Sequence, residues 1–116
     1  MSSQKSIQEY YQGDFWGELL GPDIIKSQSG SMSSGQKIEL FLKIQNNCVA
    51  DAKAKIYGGP YLIFSAGFFC EWIKNKNPKE ILNFSAQNIL QAFNFPETKK
   101  SSAFLVEAAV RKLSIL

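Results

Sequence analysis

Two thiols and one glycine loop are the places where this sequence could do chemistry. Cys48 and Cys70 are its only cysteines, and it contains no histidine. A thiolate can accept sulfur, act as a nucleophile or bind a soft metal where it is exposed and its pKa is lowered. Cys48 follows the turn residues Asn46-Asn47, and an exposed thiol there could accept sulfur, with only Lys53 and Lys55 nearby to lower its pKa. Cys70 falls inside an apolar run and reads as a small buried hydrophobe. The missing histidine removes the commonest metal ligand and the commonest general base near neutral pH. No nucleophile–base pair can then be assembled, and the chain reads as a non-enzyme.

The glycine loop is Ile56-Tyr57-Gly58-Gly59-Pro60. A strand that stops in such a loop and feeds a helix leaves backbone groups free beside the positive end of the helix dipole. Yet no Cys, His, Asp or Glu lies between Ile56 and Phe69. The Gly58-Gly59 amides and the helix start at Pro60-Tyr61 could bind a small anion, although Pro60 has no N–H to give. Among the aromatics, core packing explains Tyr57 and Phe64, while Trp16 and Tyr61 adjoin glycine turns and suit a pocket or surface role.

The elements that must position these residues are readable from periodicity. Ser6–Tyr11 suggests a short helix, and Gly13, Gly17, Gly21 and Pro22 punctuate a loop before a brief strand at Asp23–Lys26. Ser27–Gly35, rich in serine and glycine, reads as a mobile loop. Ile38, Leu40, Leu42 and Ile44 alternate with Lys37, Glu39, Phe41 and Lys43, the pattern of a half-buried strand. After the Gln45-Asn46-Asn47 turn, Ala50, Ala52, Ala54 and Ile56 alternate with Asp51, Lys53 and Lys55, completing a hairpin with one wet and one dry face. The alanine row requires close packing from whatever covers it. Leu62–Asn75 then reads as a core helix built on Leu62, Ala66, Phe69 and Ile73, widened by Phe64, Phe68 and Trp72. Asn77-Pro78 starts a further helix, Ser85 caps a third, and Ser101 or Ser102 caps a last one built on Leu105, Ala109 and Leu113. The expected class is α+β: a single domain over 1–116, with a small antiparallel three-stranded sheet and helices on one face.

Composition narrows the function classes. Net charge is +3, from 13 basic and 10 acidic residues, too weak and scattered for a nucleic-acid surface. The Lys99-Lys100 and Arg111-Lys112 pairs read as solvated faces. No apolar run approaches the ~20 residues that span a bilayer, and the start lacks the apolar stretch of a signal peptide, so a cytoplasmic location without membrane contact is expected. Two cysteines make no disulfide framework, and in that compartment they are reduced.

The order of elements and four short motifs resemble the NifU/IscU-type iron–sulfur cluster assembly scaffold family. Tyr10–Gly17 fits the family's Tyr-x-Asn-Pro-x-Asn-x-Gly stretch in length, keeping the Tyr and the last Gly. Val49–Tyr57 is similar to its second hairpin strand, with Asp51-Ala52 and Tyr57-Gly58 retained. Glu71-Trp72-Ile73-Lys74-Asn75-Lys76 resembles Glu-Trp-Val-Lys-Gly-Lys, and Phe95-Pro96-Glu97-Thr98-Lys99 stands where the family has Leu-Pro-Pro-Val-Lys. The resemblance implies a NifU/IscU-like, SufE-like fold and a cluster or zinc held by three cysteines with nearby Asp and His. Carried over by position, those ligands become Ser34, Gln36, Gly59, Ser101 and Ser102. A serine hydroxyl and an amide are poor substitutes for thiolate or imidazole. The expectation is a scaffold-like protein of iron–sulfur assembly with no cofactor of its own. It would act through contacts with assembly partners such as a cysteine desulfurase, as regulator, competitor or oligomer subunit. Gly58, Tyr61, Trp16 and Lys99 are the candidate pocket or interaction residues. The rivals are a binding module that uses the vacated site for a small apolar or anionic ligand, and a sulfur acceptor working through Cys48. The altered Leu-Pro-Pro-Val-Lys segment leaves chaperone handover open.

Overall fold

The fold is a computed structural model that describes Glu9 and residues 13–113. The expected Ser6–Tyr11 helix lies outside the described residues except for Glu9, so it stays an expectation. Three strands, β1 (Ile24–Ser31), β2 (Gln36–Gln45) and β3 (Cys48–Tyr57), form an antiparallel sheet in the order β1-β2-β3. Three α-helices follow: α1 (Pro60–Ile73), α2 (Ala86–Ala92) and α3 (Ser101–Arg111). Short 3-10 turns at Met32–Ser34, Pro78–Asn83 and Glu97–Lys99 join them.

The β2–β3 hairpin turns as its asparagines require. Asn46 and Asn47 take φ of 53° and 61°, the left-handed pair of a two-residue turn that matches strand twist. Ile38, Leu40 and Leu42 point inward and are fully buried. A bulge between Lys43 and Ile44 then shifts the register, so that Ile44 pairs with Val49. This corrects the expected alanine row: Val49, Ala52 and Ala54 are buried, whereas Ala50 faces solvent. Phe41 is a second departure, buried on the face opposite the helices between its cross-strand neighbours Lys26 and Lys53.

The expected mobile loop at Ser27–Gly35 is largely strand. Residues Ser27 to Ser31 continue β1 against Leu40 to Gln36, and the ladder overrides the weak strand preference of serine and glycine. Their small size serves packing, because Ser27 Oγ donates to the Ala109 carbonyl at 2.6 Å and so draws α3 onto β1. Met32–Ser34 is then a single tight turn, closed by Gly35 at φ 86°.

α1 is the core helix. Leu62, Ala66, Phe69 and Ile73 are fully buried, joined by Phe64 and Cys70. It ends at Ile73, two residues earlier than expected, because the Asn75 N–H pairs with the Val49 carbonyl and Val49 N–H with the Lys76 carbonyl, continuing the sheet edge. Asn77 caps the next segment by accepting from Lys79 N–H at 2.9 Å. The expected helix there is a 3-10 turn over Pro78–Asn83, held by bonds three residues apart (Glu80 to Asn77, Phe84 to Ile81). Asn88 Oδ1 accepts from Ser85 N–H at 2.8 Å, fixing the start of α2. Arg111 donates to the Ile81 and Phe84 carbonyls and ties α3 to that segment. In α3 the buried residues are Ser102, Ala103, Val106, Ala109 and Val110, and Leu113 is buried just beyond it; of the expected Leu105, Ala109 and Leu113, only Leu105 departs, being half-buried against the core. Among the described residues no helix is long and apolar enough to cross a membrane.

Candidate functional site

Three stretches of chain meet at one end of the sheet. The turn after β1 delivers Gly35 and Gln36, the glycine loop delivers Gly59 and Tyr61, and the 3-10 turn running into α3 delivers Thr98, Lys99, Ser101 and Ser102. Together they line a cavity of about 250 Å³. Gly59 is the N-cap of α1, extended at φ −86°, and its carbonyl accepts from Leu62 and Ile63. The Tyr61 ring is half-buried against Phe95, with centroids 5.2 Å apart, and this contact draws the Phe95–Lys99 stretch toward the glycine loop.

Ser101 and Ser102 do not cap α3. The turn Glu97–Lys99 leads straight into the helix and Lys100 already has helical angles (φ −65°, ψ −23°), so neither serine has the extended backbone of an N-cap. Instead Ser102 is 5% exposed, and its Oγ donates to Gln36 Oε1 at 2.9 Å. This bond joins residues 66 positions apart and ties the start of α3 to the start of β2.

Of the ligand-equivalent positions, Gln36, Gly59, Ser101 and Ser102 therefore line one cavity. Ser34 stands just outside it, its Oγ bonded to the Ser31 and Gln36 carbonyls. Tyr61 and Lys99 line the cavity. Gly58 and Trp16 do not. Gly58 is exposed outside the lining, and a side chain there would run into Leu62 Cδ2. Trp16 stacks on Phe15 at 5.2 Å and bridges to Ala54, where Gly17 N–H and the Phe15 carbonyl extend the sheet beyond β3. It is a half-buried edge residue rather than a cavity wall. Thr98 and Gly35 are cavity residues that sequence reasoning missed; their signal was adjacency to Lys99 and Ser34.

The donor set is unlike that of a soft-metal site. The residues that line the cavity carry hydroxyls, an amide and an ammonium, and none of them is Cys, His, Asp or Glu. Among the described residues no group of three or more such side chains is placed to hold a metal ion. Cys48 pairs with Gln45 at the other end of the hairpin from Gln36, roughly 30 Å along the strand. Cys70 is buried in α1, and burial pushes its thiol up to about 12. Iron–sulfur clusters and structural zinc require thiolate or imidazole, so the residues present do not fit either group.

Residues 1–113 match the sequence model of the NifU-like N terminal domain. The chain is 28% identical over 82 residues to iron sulfur cluster assembly protein 1 of Trachipleistophora hominis, covering 71% of this chain and 59% of that protein. It is 30% identical over 91 residues to the protein of the same name from Encephalitozoon cuniculi, covering 78% of this chain and 65% of that one. The chain thus spans less than two thirds of the length of either relative. In fold it is similar to a structure from Fervidobacterium islandicum AW-1 described as an iron–sulfur cluster assembly scaffold of the SUF system, with a TM-score of 0.68, 16% identity and 92% of each chain covered.

Proposed function

We propose that this chain, which belongs to the NifU-like N-terminal domain family of iron–sulfur assembly scaffolds, serves that pathway as a scaffold-like protein holding neither cluster nor zinc of its own. One observation carries the reading. Four ligand-equivalent positions converge on a single cavity, as a scaffold requires, yet they present an amide, two hydroxyls and a glycine. The frame of the site is kept while its soft donors are absent. A partner reads shape and charge, not thiolates, so contacts with assembly proteins such as a cysteine desulfurase can outlast the metal site. The role is then regulatory or accessory, in the cytoplasm, without catalysis by this chain.

Anaerobic reconstitution with iron and sulfide tests the first half of this. The expected product is colourless, with no stoichiometric iron or sulfide, and a cluster that survives replacement of Cys48 and Cys70 overturns it. A pull-down against a cysteine desulfurase tests the second half, and the absence of any complex counts against the reading. The sulfur-acceptor reading draws no support from the position of Cys48, at the far end of the hairpin from the cavity.

A further inference from the structure

We infer that the cavity between Gln36, Gly59, Tyr61, Thr98, Lys99 and Ser101 is a binding site for a small oxyanion, a phosphate or carboxylate group. The argument is a balance of donors against acceptors. Lys99, exposed at the rim, is the one basic residue among those that line the cavity, and no carboxylate residue is among them. Glu97, two residues before Lys99, is already engaged, its Oε1 lying 3.1 Å from Lys100 Nζ. Among the described residues Lys99 has no carboxylate partner. Gln36 Oε1 accepts from Ser102, which leaves the Gln36 NH₂ as a donor with no partner among the described residues to compete for it. Tyr61, Thr98 and Ser101 add three hydroxyls that can donate.

The alternatives fit less well. A cation would meet an ammonium and no anionic side chain. An apolar ligand would strip water from three hydroxyls without replacing their hydrogen bonds, at a cost for each. An oxyanion is met by an ammonium and several neutral donors, the charge-assisted pattern that binds best. At about 250 Å³ the cavity admits a phosphate-sized group with room for water.

This inference rests on the reading above in one respect only, that no metal takes the cavity. The test is an amide NMR titration of the native chain with sodium phosphate and, separately, sodium acetate, at constant ionic strength against sodium chloride. Saturable shifts are expected at Gln36, Gly59, Thr98, Ser101 and Ser102, and the tighter of the two anions identifies the group recognised. Lys99→Ala removes the charge and should weaken binding about tenfold. Gly59→Asp adds a carboxylate where a Cβ meets nothing within 4 Å, so the fold is kept and binding should be lost. Absence of saturable shifts, shifts spread over surface lysines, or shifts that persist in both variants overturn the inference. A chain that binds phosphate but no desulfurase sinks only the earlier reading; the reverse result sinks only this one.

Discussion

Ser102 Oγ and Gln36 Oε1 lie 2.9 Å apart, and among the described residues theirs is the one side-chain hydrogen bond between α3 and the start of β2. Both partners occupy positions where the family resemblance implies metal ligands, and the bond ties two of the stretches that line the cavity to each other. Ser102→Ala should lower stability by about 1 kcal/mol, a fall in Tm of roughly 5 °C for a domain of this size. Thermal denaturation with and without a chelator checks this. The melting temperature of the native chain should not respond to the chelator, and a large drop would show that a bound metal supports the fold.

Placing thiolates at these positions should create a metal site. Gly59 leaves open space where a side chain would start, and Ser34 and Ser102 differ from cysteine by one atom. The triple variant Ser34→Cys/Gly59→Cys/Ser102→Cys is therefore expected to fold and to bind zinc stoichiometrically, while the native chain binds none. Metal analysis after gel filtration decides, and a folded triple variant that stays free of zinc would show that the backbone frame has itself moved.

The two thiols should differ in reactivity. Burial pushes the Cys70 thiol from its ordinary 9.0 up to about 12. A thiol-directed alkylating agent at pH 8 should modify half-buried Cys48 and spare Cys70 until the chain unfolds. The same shift sets a pH dependence. The folded state holds the proton more tightly than the unfolded one, so the contribution is intact below about pH 9 and stability falls as pH rises from there toward 12. Cys70→Ala should flatten that alkaline decline, and an unchanged slope would assign it to other groups.

Gly30 and Gly59 should respond in opposite ways to the same substitution. Gly30 has φ +83°, and a Cβ there would stand 2.2 Å from the Gln36 carbonyl oxygen. Gly30→Ala should cost on the order of 2–3 kcal/mol, and it strikes the backbone that presents Gln36 to the cavity. Gly59→Ala, with no contact to break and φ −86°, should change stability by less than about 0.5 kcal/mol. Urea denaturation of the pair gives the comparison, and equal effects would refute the geometry.

Periodicity made most of the fold legible. The apolar alternation through Ile38, Leu40 and Leu42 located β2, and the spacing of Leu62, Ala66, Phe69 and Ile73 located α1, because burial on one face leaves that signature. The Ser27–Ser31 half of β1 was hidden for a physical reason: its residues have low strand preference, and pairing with β2 holds them in place. The bulge at Lys43/Ile44 was equally silent, since an extra residue in a ladder depends on the partner strand and leaves no local mark. At the site, the glycine loop and the serine pair were visible as positions. The Ser102–Gln36 bond and the displacement of Trp16 to the sheet edge arise only from tertiary packing.

The cavity walls come from three widely separated stretches of chain, each anchored by its own strand or helix. A change of one wall residue therefore leaves the other two walls standing. Serine or glycine and cysteine can lie one nucleotide apart in the genetic code, so thiols could enter or leave these walls in small inherited steps without the scaffold being rebuilt.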